Sequence, residues 1–313
     1  MMSARRLALQ GLGAVLLASC ASSPPSTVRA NALAPGVYLL PGSGGAADET
    51  NLGRVGNAGF IVGDAGVIVI DTGTSLAHGR EILRAIKAVT DKPVKLALVT
   101  HTRPEFLFGG AAFKEAGIPI RMHRRTATLM ASRCETCLKT LRQTVGEAPI
   151  AGTVMYQADQ TFEASHALTE AGRPVSVLYF GHSSGPGDIA VRDDASGVVF
   201  AGGLLDANRV PDIQDCDLEG WRRALAALRA LAPTTLVPGH GPASPPALIA
   251  TVEGYLAQLE TKLRGLVRAG VSLLDVADAG ELPQYANWDQ YDTIHRRNAS
   301  VAYLRFEREL LFK

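Results

Sequence analysis

The chain has 313 residues, of which 47% are hydrophobic, with 31 Lys and Arg against 30 Asp and Glu and four cysteines. That composition excludes a disordered, collagen-like or small disulfide-scaffold protein and leaves room for a proper core. A formal charge of +1 supplies no general field for DNA, RNA or anionic lipid, so nucleic acid is not an expected partner.

In chain order the first feature is a targeting segment. Arg5 and Arg6 precede an apolar run over 7–19 and then Cys20. The 13 residues of that run are too few to span a bilayer as a helix, which takes about 20, so a removable signal over 1–19 is expected. Its end, Leu17-Ala18-Ser19-Cys20, resembles the lipobox of bacterial lipoproteins. That resemblance implies cleavage before Cys20, a lipid on its sulfur, and a periplasmic lipoprotein attached to the membrane through the lipid anchor alone. Ala21 in the next position points to the outer membrane, while Arg5-Arg6 leaves the general and twin-arginine export routes both open. Residues 20–35, rich in Ser, Pro and Ala, read as a tether.

The body alternates strands and helices. Apolar runs predict strands at 36–40, 59–62, 67–70, 96–100, 118–122, 175–180, 198–201 and 235–237. Helical periodicity falls at 76–89, 110–116, 126–145 and 218–231, and beyond Pro245-Pro246 at 247–266, 271–277 and 298–311. This mixture predicts an α/β protein of packed sheets flanked by helices, with a main domain over 36–245 and a helical extension over 246–313. Cys134-x-x-Cys137 lies in the third helix. In an oxidising compartment the pair forms a local disulfide, stays as free thiols or works as a redox pair; zinc would need two further ligands that no second such motif supplies. Cys216 reads as a small buried residue.

Four landmarks follow strands: Asp71-Thr72-Gly73, Thr100-His101-Thr102-Arg103-Pro104-Glu105-Phe106 running on to Gly109-Gly110, Gly181-His182 running on to Gly187-Asp188, and Pro238-Gly239-His240-Gly241. Polar groups that follow apolar strands present themselves to a shared cleft at a sheet edge. His78, His123 and His166 fall outside these landmarks and read as surface or packing residues.

The order of the landmarks resembles that of the metallo-β-lactamase-fold hydrolase superfamily over nearly all of 36–242. The resemblance implies a four-layer αββα sandwich and, where the ligand set is complete, two zinc ions bridged by a hydroxide that attacks ester, lactone, amide or phosphoester bonds. His101, His182 and His240 stand where ligand histidines would. Arg103, Glu105 and Phe106 replace a histidine, the aspartate and another histidine, and Gly203 replaces the bridging aspartate. A guanidinium about 5 Å from Zn²⁺ would be repelled by roughly 7 kcal/mol at an effective dielectric near 20, so Arg103 cannot point inward beside a metal. It either turns to solvent or pairs with a carboxylate such as Glu105 or Asp71.

Two functions follow. In one, a single zinc is held by His101, His182 and His240 with Glu105 as ligand or general base, Asp188 is a further catalytic candidate, and a metal-bound water hydrolyses a small-molecule substrate. In the other, the protein is inactive, and Arg103 with its neighbours binds an anionic ligand or a partner protein. Asp71 is expected to orient a ligand histidine, or else to form an ordinary turn before Gly73. Phe200-Ala201-Gly202-Gly203-Leu204, Arg209-Val210-Pro211-Asp212 and Trp288, Tyr291, His295 and Asn298 resemble a subgroup of exported zinc-hydrolase-like proteins. That subgroup is associated with quinoprotein dehydrogenases and sulfur-oxidation clusters, which implies an accessory role beside such a dehydrogenase. The simpler reading of Trp288, Tyr291 and His295 is a helix face packed on the sandwich.

Overall fold

A computed structural model of the chain describes residues 28–312. Cys20, the expected lipid anchor, and the signal before it lie outside the described residues. No helix among those described is long and apolar enough to cross a membrane.

The first sheet opens with an antiparallel meander, β1 (Asn31–Ala34), β2 (Val37–Leu40), β3 (Ala58–Val62) and β4 (Val67–Ile70). The chain then crosses over through α1 (Leu76–Val89), whose first turn is capped by the Ser75 hydroxyl, into β5 (Val94–Val99). Two short helices, α2 (Pro104–Leu107) and α3 (Gly110–Glu115), lead to β6 (Ile120–His123). The long α4 (Arg124–Val145) and α5 (Glu147–Ile150) lead to β7 (Gln160–Phe162). Strands β4 to β7 are parallel, and the seven strands lie in sequence order.

The second sheet holds β8 (His166–Leu168), β9 (Val175–Tyr179), β10 (Ile189–Asp193), β11 (Val198–Asp206) and, after α6 (Leu218–Ala230), β12 (Thr235–His240). Only its β11–β12 pair is parallel. The C-terminal part contains α7 (Leu248–Arg268), α8 (Val276–Ala279), a π-turn over Tyr291–His295 and α9 (Arg296–Leu311).

Three apolar cores separate four layers. Ile61, Ile68 and Leu98 from one sheet meet Val177, Val191 and Phe200 from the other. Helices α1, α3 and α4 cover the outer face of the first sheet through Ile82, Phe113 and Leu138. On the far side α6, α7 and α9 cover the second through Trp221, Tyr255 and Phe306. This is the αββα sandwich with a C-terminal helical extension.

The four strands absent from the sequence reading, β1, β7, β8 and β10, have distinct causes. β1, β7 and β8 are three or four residues long and half open to solvent, too short for a period-2 pattern. β10, Ile-Ala-Val-Arg-Asp, offers only three consecutive apolar residues before two charged ones, too short a run to read as a strand. β11 runs past its expected end at 201 because Gly202, at φ +50°, bulges the strand; a Cβ there would stand 2.5 Å from Thr100 Oγ1. The bulge carries Asp206 to the position opposite His240. Toward the C-terminus, the expected helix over 271–277 shrinks to α8, which starts after a turn at Ser272–Asp275.

Candidate functional site

The landmark loops meet at one edge of the sandwich. Asp71 takes the left-handed backbone conformation, φ +61°, which turns the chain sharply after β4. Next to it Thr72 docks the α2 segment. Its amide donates to the Phe106 carbonyl at 2.8 Å, and its hydroxyl reaches the carbonyls of Phe106 and Leu107 at 3.0 and 2.9 Å. Gly109 lies so close to this turn that a Cβ would come within 1.8 Å of the Thr72 oxygen. The Asp-Thr-Gly turn and the Gly-Gly pair are thus two halves of one contact, and that contact fixes where Glu105 and Phe106 point.

The cleft is lined by His101, Arg103, Glu105, Ser184, Asp188, Gly203, Asp206, Arg209, Asp212 and His240, with a cavity volume of about 40 Å³. His240 is its centre. Its Nδ1 lies 2.8 Å from Asp206 Oδ1 and its Nε2 lies 3.1 Å from Glu105 Oε1. Burial alone would depress the imidazole, but the Asp206 charge and hydrogen bond, with Glu105, outweigh it and raise its pKa. Glu105 responds in the opposite sense. Burial pushes it up, yet the His240 hydrogen bond and charge and the Arg103 guanidinium bring it down to about 2.

His101 is held differently. Its Nδ1 lies 2.7 Å from Thr100 Oγ1, and the Thr100 amide and hydroxyl both donate to Asp71. Asp71 therefore reaches the histidine through Thr100 and does not accept a ring proton directly. Burial, aided by Arg103, drops His101 to about 3, and burial lifts Asp71 to about 8 despite the Thr100 bonds. Asp188 is raised to about 6 by burial, against a 2.7 Å hydrogen bond from Ser184 and the Arg103 charge. Its Oδ2 lies over Gly203, where a Cβ would stand 2.7 Å away.

Of the residues expected from sequence, the fold brings His101, Arg103, Glu105, Asp188 and His240 to one cleft and leaves His182 out of it. The His182 loop is pinned to the start of α6: the Asp217 amide donates to the Ser183 carbonyl at 2.9 Å, and Gly220 lies under the His182 carbonyl. His182 Nε2 is spent on the Asp215 carbonyl at 2.7 Å. Ser184 enters the cleft from that loop instead. The three imidazoles therefore do not converge.

Arg103 pairs with a carboxylate, as one of the two expectations has it, but the partner is Asp212 at 2.6 Å, which Arg297 also holds. Phe106 packs against both His101 and His240, with ring centroids 4.2 and 5.2 Å apart. Among the described residues no group of three or more His, Cys, Asp or Glu side chains is placed to hold a metal ion. The donor set present does not fit the expected zinc. Cys134 and Cys137 are present as free thiols, one of the three states expected of the pair, and Cys216 is buried as expected.

Sequence reasoning missed Asp206 and assigned no role to Arg209, Asp212 or Arg297. Asp206 carried one readable signal, a carboxylate closing an apolar run that passes through two glycines. Asp212 stood in a quoted motif, but its pairing with Arg103 and Arg297 was not readable, since those partners lie 109 and 85 residues away in sequence.

This sandwich, with its cleft between the loops of two sheets, defines a class of hydrolase-like scaffolds. The model of the metallo-β-lactamase superfamily matches residues 52–240, and the chain belongs to that superfamily. The fold is similar to a metallo-β-lactamase from Pontibacter korlensis, with a TM-score of 0.61 and 20% identity over 74% of this chain and 99% of that one. It is also similar to FIM-1 from Pseudomonas aeruginosa in its mono-zinc form, with a TM-score of 0.58 and 21% identity over 75% and 97%. A linear primary-alkylsulfatase from Pseudomonas sp. (strain ATCC 19151) is 35% identical over 54 residues, 17% of this chain and only 10% of that enzyme's length.

Proposed function

We propose that this protein is a binding protein on a metallo-β-lactamase scaffold, exported and lipid-anchored through Cys20, that serves as an accessory to periplasmic quinoprotein dehydrogenases. The observation that carries this reading is the filling of the cleft. Phe106, the Glu105–His240–Asp206 chain and the Arg103–Asp212 pair leave about 40 Å³. Water takes about 30 Å³ in the liquid, and small-molecule sites usually run to about 300–1,000 Å³, so this space suits a water and not an ester or lactone.

Ligand-sized space lies next to it. A groove of about 620 Å³ runs from Glu105 along α4, lined by Ser132, Thr136, Thr140 and Thr144 at successive helical turns and by Arg133 and Arg297. The hydroxyl ladder and the two guanidiniums, which Asp215 and Asp212 hold in place, suit an elongated ligand bearing carboxylate or sulfate oxygens, a class to which the sulfate esters of the alkylsulfatase match also belong. The accessory role rests on the sequence resemblance of the C-terminal segment.

The runner-up, a hydrolase with one zinc, is favoured by the shared cleft of His101, Glu105, Asp188 and His240. Elemental analysis of the untagged full chain separates the two. Zinc well below one per chain, unchanged in His182→Ala and His240→Ala, is the expected result. One zinc per chain lost in His240→Ala, together with turnover of a generic ester, lactone or phosphodiester that Glu105→Gln abolishes, would overturn the binding-protein reading.

A further inference from the structure

Cys134 and Cys137 sit in the middle of α4, three residues apart and hence on one face of the helix. They differ in access. Cys134 is fully buried against the outer face of the first sheet, whereas Cys137 is half-buried and lines the 620 Å³ groove. One helical turn apart on the same face of α4, the two side chains are neighbours. An accessible sulfur backed by a shielded one is the division of labour that thiol–disulfide exchange requires.

The electrostatics agree with the geometry. The hydrogen bond from Cys134 holds the Cys137 thiol below its ordinary value, burial opposes this, and the Arg103 and Arg133 charges assist it. The same hydrogen bond, with burial, pushes Cys134 up. Helix geometry puts the two Cα atoms roughly 5 Å apart, inside the usual disulfide range of about 4.4–6.8 Å. Their Cβ atoms, about 5–6 Å apart on a helix, must close to about 3.5–4.5 Å, which tightens the turn over 134–137 toward 3₁₀ geometry. A disulfide formed against that resistance is a readily reduced one.

We propose that Cys134 and Cys137 form a redox-active dithiol that exchanges with a carboxylate-bearing low-molecular-weight disulfide seated in the groove. The Cys137 thiolate attacks one sulfur of the disulfide RSSR, forming a mixed disulfide and releasing RS⁻, which takes the proton of Cys134. The Cys134 thiolate then attacks the Cys137 sulfur, closes the intramolecular disulfide and expels the second RS⁻, which is protonated from solvent. The dithiol loses two electrons and two protons, and RSSR becomes two RSH. Arg133, paired with Asp215, and Arg297, paired with Asp212, line the groove wall and carry further N–H donors to meet the carboxylates.

The test uses the full chain carrying Cys20→Ser and Cys216→Ala, so that only this pair remains. It is equilibrated with glutathione buffers of graded oxidised fraction, alkylated and weighed. Both thiols are expected to disappear together with no lasting glutathione adduct. Cys134→Ala should accumulate one adduct, on Cys137, and Cys137→Ala none on Cys134. Alkylation of Cys137 at pH 7 should slow about ten-fold in Cys134→Ala, as the thiolate fraction falls. Should Cys134→Ala fail to fold, Cys134→Ser gives the same adduct readout. Thiols that stay reduced across the series, or adducts that form equally on either cysteine, would overturn the proposal.

Discussion

His240 lies at the centre of the cleft, where its contacts with Asp206 and Glu105 favour the charged imidazole against the effect of burial. Its pKa is raised, so the stability it contributes is fully present below its ordinary value near 6.5 and is lost as pH rises through the raised one. Glu105, lowered to about 2, contributes above its ordinary value near 4.5 and loses that contribution only as pH falls toward 2. The pair is therefore strongest between those limits. His240→Gln, which keeps polar contacts but not the charge, is expected to cost about 3 kcal/mol at pH 6 and progressively less as pH rises through the raised pKa, read by a series of denaturant titrations. Asp71 works the other way. Raised to about 8 in the fold but ionising near 3.8 when unfolded, it makes stability fall as pH climbs from about 4 to about 8. Asp71→Asn, which also tolerates the left-handed backbone, should be nearly neutral at pH 4.5 and stabilising on the order of a few kcal/mol at pH 8. Thermal melts at the two pH values check the slope.

At the scale of elements, the site is set by contacts between segments more than by any one of them. The Thr72–Gly109 contact joins the end of β4 to the α2–α3 corner, and the backbone there has no space for a methyl group. Gly109→Ala is expected to cost more than about 3 kcal/mol, visible as loss of soluble protein or a sharply lowered Tm. The opposite wall is held from the C-terminal extension. Asn298 on α9 accepts from the Ile213 amide and donates to the Pro211 carbonyl and to Tyr255, clamping the loop that carries Asp212. Asn298→Ala leaves these buried groups unpaired and should cost about 1–3 kcal/mol by denaturant titration. Trp288, Tyr291 and His295 behave as packing residues: Tyr255 lies against the Trp288 and His295 rings, and His295 stacks on Tyr291.

For the whole molecule, the helical extension is part of the fold and not an appendage. Tyr255, Leu256 and Leu259 of α7 and Phe306 of α9 share one continuous core with Trp221 of α6 and Leu204 of β11. Their burial is worth roughly 1.5–3 kcal/mol per large side chain, and cutting the chain after residue 245 would open that face to water. The full chain is expected to melt in a single calorimetric transition, and the truncated one to bind a hydrophobic dye or aggregate. Two resolved transitions would show that the extension folds separately.

The layered architecture was legible because it rests on local rules. Long runs such as 67–70 and 76–89 carry their period in neighbouring residues, and the order of strand-end motifs placed His101, Glu105, Asp188 and His240 at one edge. Periodicity alone reached packed sheets flanked by helices; the four-layer sandwich came from the resemblance carried by those motifs. What fills the cleft, by contrast, depends on tertiary contacts. His182 faces away because its loop is pinned to α6, Phe106 fills space because Thr72 fixes its backbone, and Arg103 is neutralised by Asp212 because Asn298 holds that loop in place. Each of these outcomes depends on a partner tens of residues away, and composition and periodicity carry no record of which distant groups a folded chain brings within 3 Å.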